Sequence, residues 1–418
     1  MDTLSQDVGG ASDDKKKSKR PANTAFRQQR LKAWQPIITP KTVIPLFVVI
    51  GLVTALVGAL LLYASRTVDV VQLDYTNCYS DALESTTDSA PMPDDLVWSS
   101  FHGNNTGVSA QWSRQNTSYV YNGRNVTGLT NCTLYFNLPT DMHGPIYMYY
   151  HLDNFYQNHR SYVKSFFADQ LVGNNVTSSD ISGSDCSPLA FNNSRIIYPC
   201  GLIANSMFND TIGAPVKVGS TGSTAERTYN MTEKGIAWTA DLQLYGNTPL
   251  TEFSSIIPPP TWQIQWPNDE YSTEHPPPNL KEDEHFIVWM RTAALPNFNK
   301  LWSKSANSSA ALEAGQYSIT ILDNFRVDKF NGKKKLIITT LSVIGGRNDF
   351  LGISWLALSG FCFTLSLVFL VLNYFFPRKL GDHTYLSWNK VAPTNSASKG
   401  KGKAPAGPSI GMASGRDL

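Results

Sequence analysis

Three histidines, His143, His151 and His159, recur at intervals of eight residues and are the first candidates for metal chemistry. An even interval places side chains on one face of an unbroken β-strand. Gly144-Pro145 and Asp153-Asn154 interrupt such a strand, and the spacing lacks the close ligand pairs of zinc sites. We therefore predict no metal site.

Two groups of neighbouring carboxylates, Asp269-Glu270 and Glu282-Asp283-Glu284, are candidates for acid–base chemistry such as glycoside hydrolysis. The distance between paired carboxyl groups decides that chemistry, and sequence alone does not give it. A solvated, charged loop is the simpler interpretation of each group. The chain has no G-x-x-x-x-G-K-[ST] phosphate loop and so no visible site for ATP hydrolysis. We predict no catalytic residues and no cofactor.

Cysteine positions indicate an oxidising compartment. Cys78, Cys132, Cys186 and Cys200 lie between two long apolar runs, and Cys362 lies within the second run. Four cysteines suit two disulfides, for which three connectivities are possible. Pairing in sequence order forms short loops, which close with the smallest loss of entropy, and is therefore favoured.

Acceptor sites for N-linked glycans, N-x-[ST], follow the same distribution. All nine lie between the apolar runs and none lies in either tail: Asn104, Asn116, Asn125, Asn131, Asn175, Asn192, Asn209, Asn230 and Asn307. This density predicts that the middle of the chain enters the secretory pathway and carries N-linked glycans.

The two apolar runs, residues 42–64 and 350–376, determine where the other segments lie relative to a membrane. Neither contains a charged side chain or a histidine. About 20 such residues span the roughly 30 Å hydrocarbon core of a bilayer, and an apolar segment crosses lipid only as a helix. We predict two transmembrane helices, no ion path through either, and an uncleaved signal anchor in the first.

Basic residues predict that both tails, residues 1–41 and 377–418, are cytosolic. Those before the first run are Lys15, Lys16, Lys17, Lys19, Arg20, Arg27, Arg30, Lys32 and Lys41, and those after the second include Arg378, Lys379, Lys390, Lys399, Lys401 and Lys403. Lys333, Lys334 and Lys335 oppose the rule, but long translocated domains tolerate such charges. The composition of both tails predicts disorder outside residues 26–36.

Residues 65–349 are predicted to form one large domain or two outside the cytosol. Short apolar or alternating runs predict strands at 133–138, 146–152, 235–244, 285–290, 317–325 and 336–344. Residues 155–170 read better as a helix. The fold class is therefore a membrane protein with two transmembrane α-helices and a large β-rich ectodomain, an antiparallel sheet or sandwich with helical insertions.

Two further patterns concern the membrane. Residues 26–36 combine apolar positions at helical spacing with basic side chains, which is typical of a helix lying in the inner headgroup layer, although a basic flank that only sets orientation fits equally well. Small residues at near-helical spacing in the first span allow another helix to approach closely. They are Gly51, Ala55, Gly58 and Ala59. Packing against a partner helix and packing of the two spans on each other both remain open.

Several long blocks resemble the cell division control protein 50 (ligand-effect modulator) family. They cover residues 26–376 in order: FRQQRLKAWQPIITP (26–40), PIYMYYHLDNFYQNHRSYVKS (145–165), YPCGLIANSMFND (198–210), GIAW (235–238), EHFIVWMRTAALPNFNKLW (284–302) and GGRNDFLG (345–352). Members are the accessory β-subunits of type IV P-type ATPases, the phospholipid flippases. The resemblance implies a non-catalytic glycoprotein of fungal type that binds a flippase α-subunit and membrane lipids but no nucleic acid.

The resemblance also implies a role and a pairing. The chain would help its partner fold, leave the endoplasmic reticulum and move phospholipid from the exoplasmic to the cytosolic leaflet. It would reside in the endoplasmic reticulum, the Golgi or endosomes, or the plasma membrane. Cys78 would pair with Cys132, and Cys186 with Cys200. A ligand-binding receptor that works without an ATPase and a membrane-anchored hydrolase are the alternative functions.

Overall fold

A computed structural model describes residues 23–31, 38–102, 107–219, 227–248 and 253–377. The helices are α1 Pro40–Arg66, α2 Cys78–Asp81, α3 Arg160–Val163, α4 Ala168–Leu171, α5 Ser178–Ser182, α6 Leu202–Asn205, α7 Thr239–Leu242, α8 Glu284–Met290 and α9 Asp349–Phe375. Residues 25–29 form a turn rather than the start of a helix, and residues 32–37 of the predicted interfacial segment lie outside the described ranges.

The longer strands are β1 Val70–Asp74, β4 Val97–Ser100, β5 Ala110–Tyr121, β6 Arg124–Leu138, β7 Tyr147–Asp153, β15 Phe298–Ser305, β16 Gly315–Asp323 and β17 Lys333–Thr339. The shorter strands are β2 Leu83–Glu84, β3 Ala90–Pro91, β8 Phe191–Asn192, β9 Arg195–Ile197, β10 Thr211–Ile212, β11 Val216–Lys217, β12 Arg227–Thr228, β13 Met231–Thr232 and β14 Ile256–Ile257.

The domain is built mainly from two β-sheets. Sheet A has the order β13-β15-β7-β17-β1-β4, and sheet B has the order β12-β11-β16-β6-β5-β2, with β10 also pairing with β16 and β3 with β5. Strands β8, β9 and β14 form a small third sheet. In β7, Met148, Tyr150 and Leu152 are buried, because alternate side chains of a strand face the core. The predicted fold class, a β-rich domain between two apolar helices, is confirmed.

The strand predictions succeed where the residues alternate and fail where they do not. Predictions at 133–138, 146–152 and 317–325 are confirmed by β6, β7 and β16. The strand predicted at 336–344 ends at Thr339. Those at 235–244 and 285–290 are wrong, since these segments contain α7 and α8.

Side-chain hydrogen bonds at both ends stabilise helix α8. Asp283 caps the N-terminus by accepting a hydrogen bond from the Phe286 amide at 2.9 Å. At the C-terminus, Lys300 Nζ donates to the carbonyls of Val288 and Trp289 at 2.8 and 2.9 Å. A cation at a helix C-terminus is favourable because it faces the negative end of the helix dipole.

The helix predicted over residues 155–170 is instead two short helices, α3 and α4. The chain breaks at Ser165, which is fully buried and accepts a hydrogen bond from the Leu202 amide at 2.9 Å. The backbone of Gly201 packs on the Ser165 carbonyl so closely that an added Cβ would lie 2.1 Å from it. This tertiary contact takes precedence over the local helical pattern.

Two disulfides join Cys78 to Cys132 and Cys186 to Cys200, which is the pairing that the resemblance implies. The first connects α2 to β6. The second lies in a separate apolar cluster that includes β9. Cys362 is a free, buried cysteine in α9.

We expect removal of the Cys78–Cys132 bridge to be the more costly of the two. The chain-entropy model assigns about 4 kcal/mol to a loop of its length and about 3 kcal/mol to the Cys186–Cys200 loop. Guanidinium unfolding of the full chain in detergent, followed by tryptophan fluorescence, compares the two double alanine variants. Cys362→Ala is the control, and a larger loss for the Cys186–Cys200 variant would contradict the expectation.

The long helices α1 and α9 each contain 27 residues, so each is about 40 Å long. By length and composition both can cross a membrane, and most of their apolar side chains are exposed. The described chain divides into two compact units. One runs from residue 52 to residue 359 and contains the β-rich domain with the adjoining ends of α1 and α9; the other contains the helix ends nearest the termini.

Candidate functional site

Glycines hold the domain ends of α1 and α9 together. A Cβ added to Gly58 would lie 2.9 Å from the Leu356 amide nitrogen, and one added to Gly352 would lie 2.8 Å from the Leu62 amide nitrogen. Such distances leave no room for a side chain, so both glycines serve the close approach of two backbones.

The four small residues predicted to pack on a partner helix therefore fall into two groups. Gly58 contacts α9 of the same chain, and in the other unit a Cβ on Gly51 would meet the Phe363 ring at 3.2 Å. Ala55 is half-buried and Ala59 is exposed. The structure thus uses both glycines for packing of the two spans on each other, the alternative that the sequence left open. Packing of a partner helix on the exposed Ala59 stays a prediction.

Hydrogen bonds fix the helix ends to the domain. Ser65, the penultimate residue of α1, donates to Asp349 Oδ1 at 2.5 Å and accepts from the Asn348 amide at 3.0 Å. Arg347 donates to Asp349 Oδ2 at 3.2 Å and also to the Ser100 hydroxyl in β4. The two helices and the edge of sheet A therefore form one continuous, hydrogen-bonded junction.

The register of sheet A shows which of its ends is nearest the membrane. β1 begins four residues after α1 ends, and β17 ends ten residues before α9 begins. Val70 at the start of β1 pairs with Thr339 and Ser100, and Thr339 pairs with Tyr147. This row of paired residues is the membrane-proximal end of the sheet.

An open groove of about 520 Å³ lies on the outer face of this end. We call it the membrane-proximal groove; it is lined by Val70, Gln72, Trp98, Tyr149, Asn299, Ile337, Thr339, Leu341, Gly346, Arg347, Asn348 and Asp349. Trp98 is 40% exposed, and the Arg347 guanidinium lies 5.6 Å from its ring centroid. Aromatic rings beside arginine are typical of protein-binding surfaces.

A buried ion cluster joins the sheets at the opposite end of β17. Lys334 Nζ donates to Asp210 Oδ2 at 2.8 Å, to Asp323 Oδ1 at 2.6 Å and to the Phe325 carbonyl at 2.7 Å. The Tyr75 hydroxyl donates to Asp210 Oδ2 at 3.0 Å. Lys334 and both carboxylates are 1% exposed, so the cluster connects β17 and the residue that follows β1 in sheet A to β16 of sheet B within the buried interior.

The two carboxylates of this cluster do not accept the same number of hydrogen bonds. Asp210 Oδ1 also accepts hydrogen bonds from the amides of Asn324 and Phe325, each at 2.6 Å. Asp323 Oδ2 is buried and makes no hydrogen bond. Burial raises the pKa of Asp323, and the charge of Asp210 raises it further against the opposing effect of Lys334.

The aromatic blocks that carry the family resemblance are mainly core. Trp289 Nε1 donates to the Ile203 carbonyl at 2.7 Å, and the rings of Tyr150 and Phe208 stack with centroids 3.9 Å apart. Phe155 lies 5.5 Å from Trp289. Their residue types are thus needed to pack the blocks against one another.

Glu284 connects two of these blocks through backbone amides. Its carboxylate accepts from Gly235 at 2.9 Å, Ile236 at 2.7 Å and Ala237 at 3.0 Å. Burial alone would raise the pKa of Glu284, but the three N–H donors outweigh it and lower the pKa.

Replacing Glu284 by Ala should destabilise the domain by about 1–2 kcal/mol, since it leaves three amides without their acceptor. Because the pKa is lowered in the folded state, this stabilisation is present above the ordinary glutamate pKa of about 4.3 and is lost as the pH falls through the folded value. Thermal unfolding between pH 3 and 7 measures both effects. The exposed neighbour Glu282, changed to Ala, is the control, and equal losses would contradict this role.

The other candidates for chemistry have structural partners. Asp269 pairs with Arg124, and Glu270 pairs with Arg195 at 2.9 Å. His151 Nδ1 lies 2.7 Å from Asn299 Oδ1. Within the described ranges no three His, Cys, Asp or Glu side chains are grouped as metal ligands.

The C-terminal tail contains one sequence pattern that serine nucleophiles use. Residues 407–411, GPSIG, match G-x-S-x-G. The catalytic form of this motif needs a preceding strand and a following helix, and the surrounding Ala, Gly, Lys and Pro do not favour either. The segment lies outside the described residues.

The glycan acceptors differ in accessibility. Asn116, Asn125, Asn175, Asn230 and Asn307 are exposed, whereas Asn131, Asn192 and Asn209 are half-buried. Asn104 lies outside the described residues. Asn209 lines an aromatic cavity of about 350 Å³ together with Trp262 and Trp266. These positions stay predictions of glycosylation.

Fold and site together define a class of protein: a β-rich domain hydrogen-bonded to two membrane-spanning helices, with an open groove beside the helices and no assembled metal cluster among the described residues. The LEM3 (ligand-effect modulator 3) family / CDC50 family matches residues 61–379. The chain belongs to this family, and it is a membrane protein.

Curated relatives cover nearly the whole chain. The phospholipid-transporting ATPase accessory subunit CDC50 of Chaetomium thermophilum is 41% identical over 391 residues, 91% of this chain and 94% of the relative. The phospholipid-transporting ATPase accessory subunit CRF1 of Saccharomyces cerevisiae is 39% identical, covering 91% and 92%. Cell cycle control protein 50A of Mus musculus is 37% identical, covering 88% and 91%.

Proposed function

We propose that this chain is the non-catalytic accessory β-subunit of a type IV P-type ATPase. The partner hydrolyses ATP and moves phospholipid from the exoplasmic to the cytosolic leaflet, and this chain is required for its folding, its exit from the endoplasmic reticulum and its activity. The observation that carries the proposal is the pair of fungal relatives, 41% and 39% identical, that are named accessory subunits of phospholipid-transporting ATPases.

Copurification tests this function. Tagged full-length chain, solubilised in mild detergent, should retain a partner with more membrane spans and with ATPase activity that phospholipid stimulates. Depletion of the chain should abolish that activity and retain the partner in the endoplasmic reticulum. A lone, monodisperse chain together with unchanged ATPase traffic would contradict the proposal and favour the receptor alternative.

The proposal includes a topology with both tails in the cytosol and the domain in the secretory lumen or outside the cell. The basic residues of the tails and the distribution of glycan acceptors support it. The final residence is the endoplasmic reticulum, the Golgi or endosomes, or the plasma membrane, and N-linked glycans are the expected attachments. Glycopeptide mass spectrometry of the purified chain tests it. Occupied sites at exposed positions such as Asn116 and Asn307 agree with this topology, and an unmodified chain contradicts it.

The membrane-proximal groove is the proposed contact for the outer loops of the partner. Those loops are short, so they can reach only the end of sheet A that adjoins the helices. Trp98 offers the exposed aromatic surface that dominates many interfaces, where truncation often costs more than 1 kcal/mol.

Trp98→Ala should therefore weaken recovery of the partner about five-fold or more. Trp238, which is 65% exposed and far from the groove in sequence, is the matched control when changed to Ala. Thermal unfolding of both variants separates a docking defect from a folding defect. Full partner recovery with the stable Trp98→Ala variant would remove Trp98 from the contact.

A further inference from the structure

A tight turn between β17 and α9 presents two apolar side chains to solvent. Ser342 and Gly345 exchange both backbone hydrogen bonds at 2.9 Å, and the Ser342 hydroxyl donates to the Gly345 carbonyl at 3.0 Å. Val343 and Ile344 occupy the tip. Val343 is fully exposed, and Ile344 is 45% exposed.

These residue types are unfavourable for such a position in water. Two-residue turns favour Asn, Asp and Gly, whereas β-branched residues fit the pleated surface of a strand. Val343 adds neither turn propensity nor core packing to the domain, and Ile344 leaves nearly half of its surface uncovered. The two apolar side chains are explained if the tip of the turn contacts an apolar environment that is not part of this chain.

The chain path keeps the tip close to the membrane-proximal end of α9. Ile344 precedes the first residue of α9 by only five positions, a reach of at most about 18 Å. Helix α9 is about 40 Å long and so exceeds the roughly 30 Å hydrocarbon core, and its first turn begins with the charged residue Asp349, which favours the headgroup layer for this end of the helix. The tip is therefore within reach of the boundary between headgroups and acyl chains.

Residues around the junction are those that favour this boundary. Tyr63, near the end of α1, is 72% exposed. Arg66 is exposed at the last position of α1. Tyrosine and tryptophan are enriched at membrane–water interfaces, and a cationic side chain there can contact lipid phosphate.

We propose that Val343 and Ile344 insert into the outer leaflet beside α9 and fix the height of the domain over the bilayer. The occupant of this surface is phospholipid, at the level where glycerol and the upper acyl chain meet. Two side chains at the tip of a turn are too small for a specific protein interface, which needs about 800 Å² from each partner. The same two side chains suffice for interfacial insertion, because lipid needs no matching shape.

Lipid-borne quenchers test the insertion directly. Full-length Cys362→Ala chain carrying Val343→Cys is labelled with an environment-sensitive fluorophore and reconstituted in phosphatidylcholine vesicles. A nitroxide near the carbonyl end of the acyl chain should quench the fluorophore more strongly than one near the methyl end. Val120→Cys in the same background is the matched control, an exposed valine in β5 whose label should be quenched only by a water-soluble quencher.

Two results would overturn the proposal. Quenching of the Val343 label by the water-soluble quencher alone would place the tip in water. Protection of the label from both the lipid-borne and the water-soluble quencher, in vesicles that contain the chain alone, would place the tip in a protein interface. Because lipid quenching is measured with the chain alone, its outcome does not depend on which ATPase the chain serves.

Discussion

Lys334→Met should prevent most of the full-length chain from folding. The change removes the only cation that contacts Asp210 and Asp323 in the described cluster and leaves two buried carboxylates facing each other. Breaking a buried ion pair by removing one partner costs about 3–5 kcal/mol, a large part of the 5–15 kcal/mol that holds a typical domain together. We expect retention in the endoplasmic reticulum and loss of copurifying partner, measured by endoglycosidase sensitivity and tag recovery.

Two further variants separate this explanation from a general effect of the substitution. Lys333→Met changes an exposed lysine of the same strand and should behave as wild type. Lys334→Met combined with Asp323→Asn should recover part of the yield, since one of the two uncompensated negative charges is removed and Asp210 keeps its three other hydrogen-bond donors. If the double variant is no better than Lys334→Met, charge imbalance is not the cause.

Sequence predicts the parts of this fold that depend on local pattern. Alternation identifies β7, and the absence of charge over more than 20 residues identifies α1 and α9, because period and length are properties of the segment itself. The same reasoning fails for helix α8. Its short apolar run fits a strand equally well, and the cation at its C-terminus, Lys300, lies in the next strand of the structure, β15.

Lys334 shows the same limit for the site. In sequence it is the middle of three lysines that oppose the positive-inside rule, and nothing local distinguishes it from its neighbours. The strand period places Lys334 on the core face and Lys333 and Lys335 on the other face. Its partners are supplied from 124 and 11 residues away. Such distant partners give no periodic signal, so the inter-sheet cluster could be found only in the structure.

The small residues of the spans illustrate a third limit. Spacing identifies a surface that permits close approach but not the helix that approaches it. Gly58 and Gly352 contact the opposite helix of the same chain, whereas Ala59 is exposed. The two spans therefore act as one preformed pair at their domain ends, and any partner packs on the outside of that pair.

Gly352→Leu should separate this pair and release the partner. An added Cβ would lie 2.8–2.9 Å from the amide nitrogen, Cα and Cβ of Leu62, so the backbones must move apart. Asp349, one turn away, would then lose its 2.5 Å hydrogen bond from Ser65. Overpacking of this kind costs about 1–3 kcal/mol, which corresponds to a roughly five-fold or greater loss of partner recovered by the tagged chain.

Gly360→Leu supplies the matched control within α9. A Cβ on Gly360 has no atom of the described chain within 4 Å, so the same substitution adds the same bulk and hydrophobicity without forcing α1 away. Partner recovery should stay at the wild-type level. If both variants lose the partner equally while the domain keeps its disulfides and its thermal stability, then the partner packs on Gly360 or leucine disturbs α9 itself. The Gly58–Gly352 contact would then not be what positions the domain for its partner.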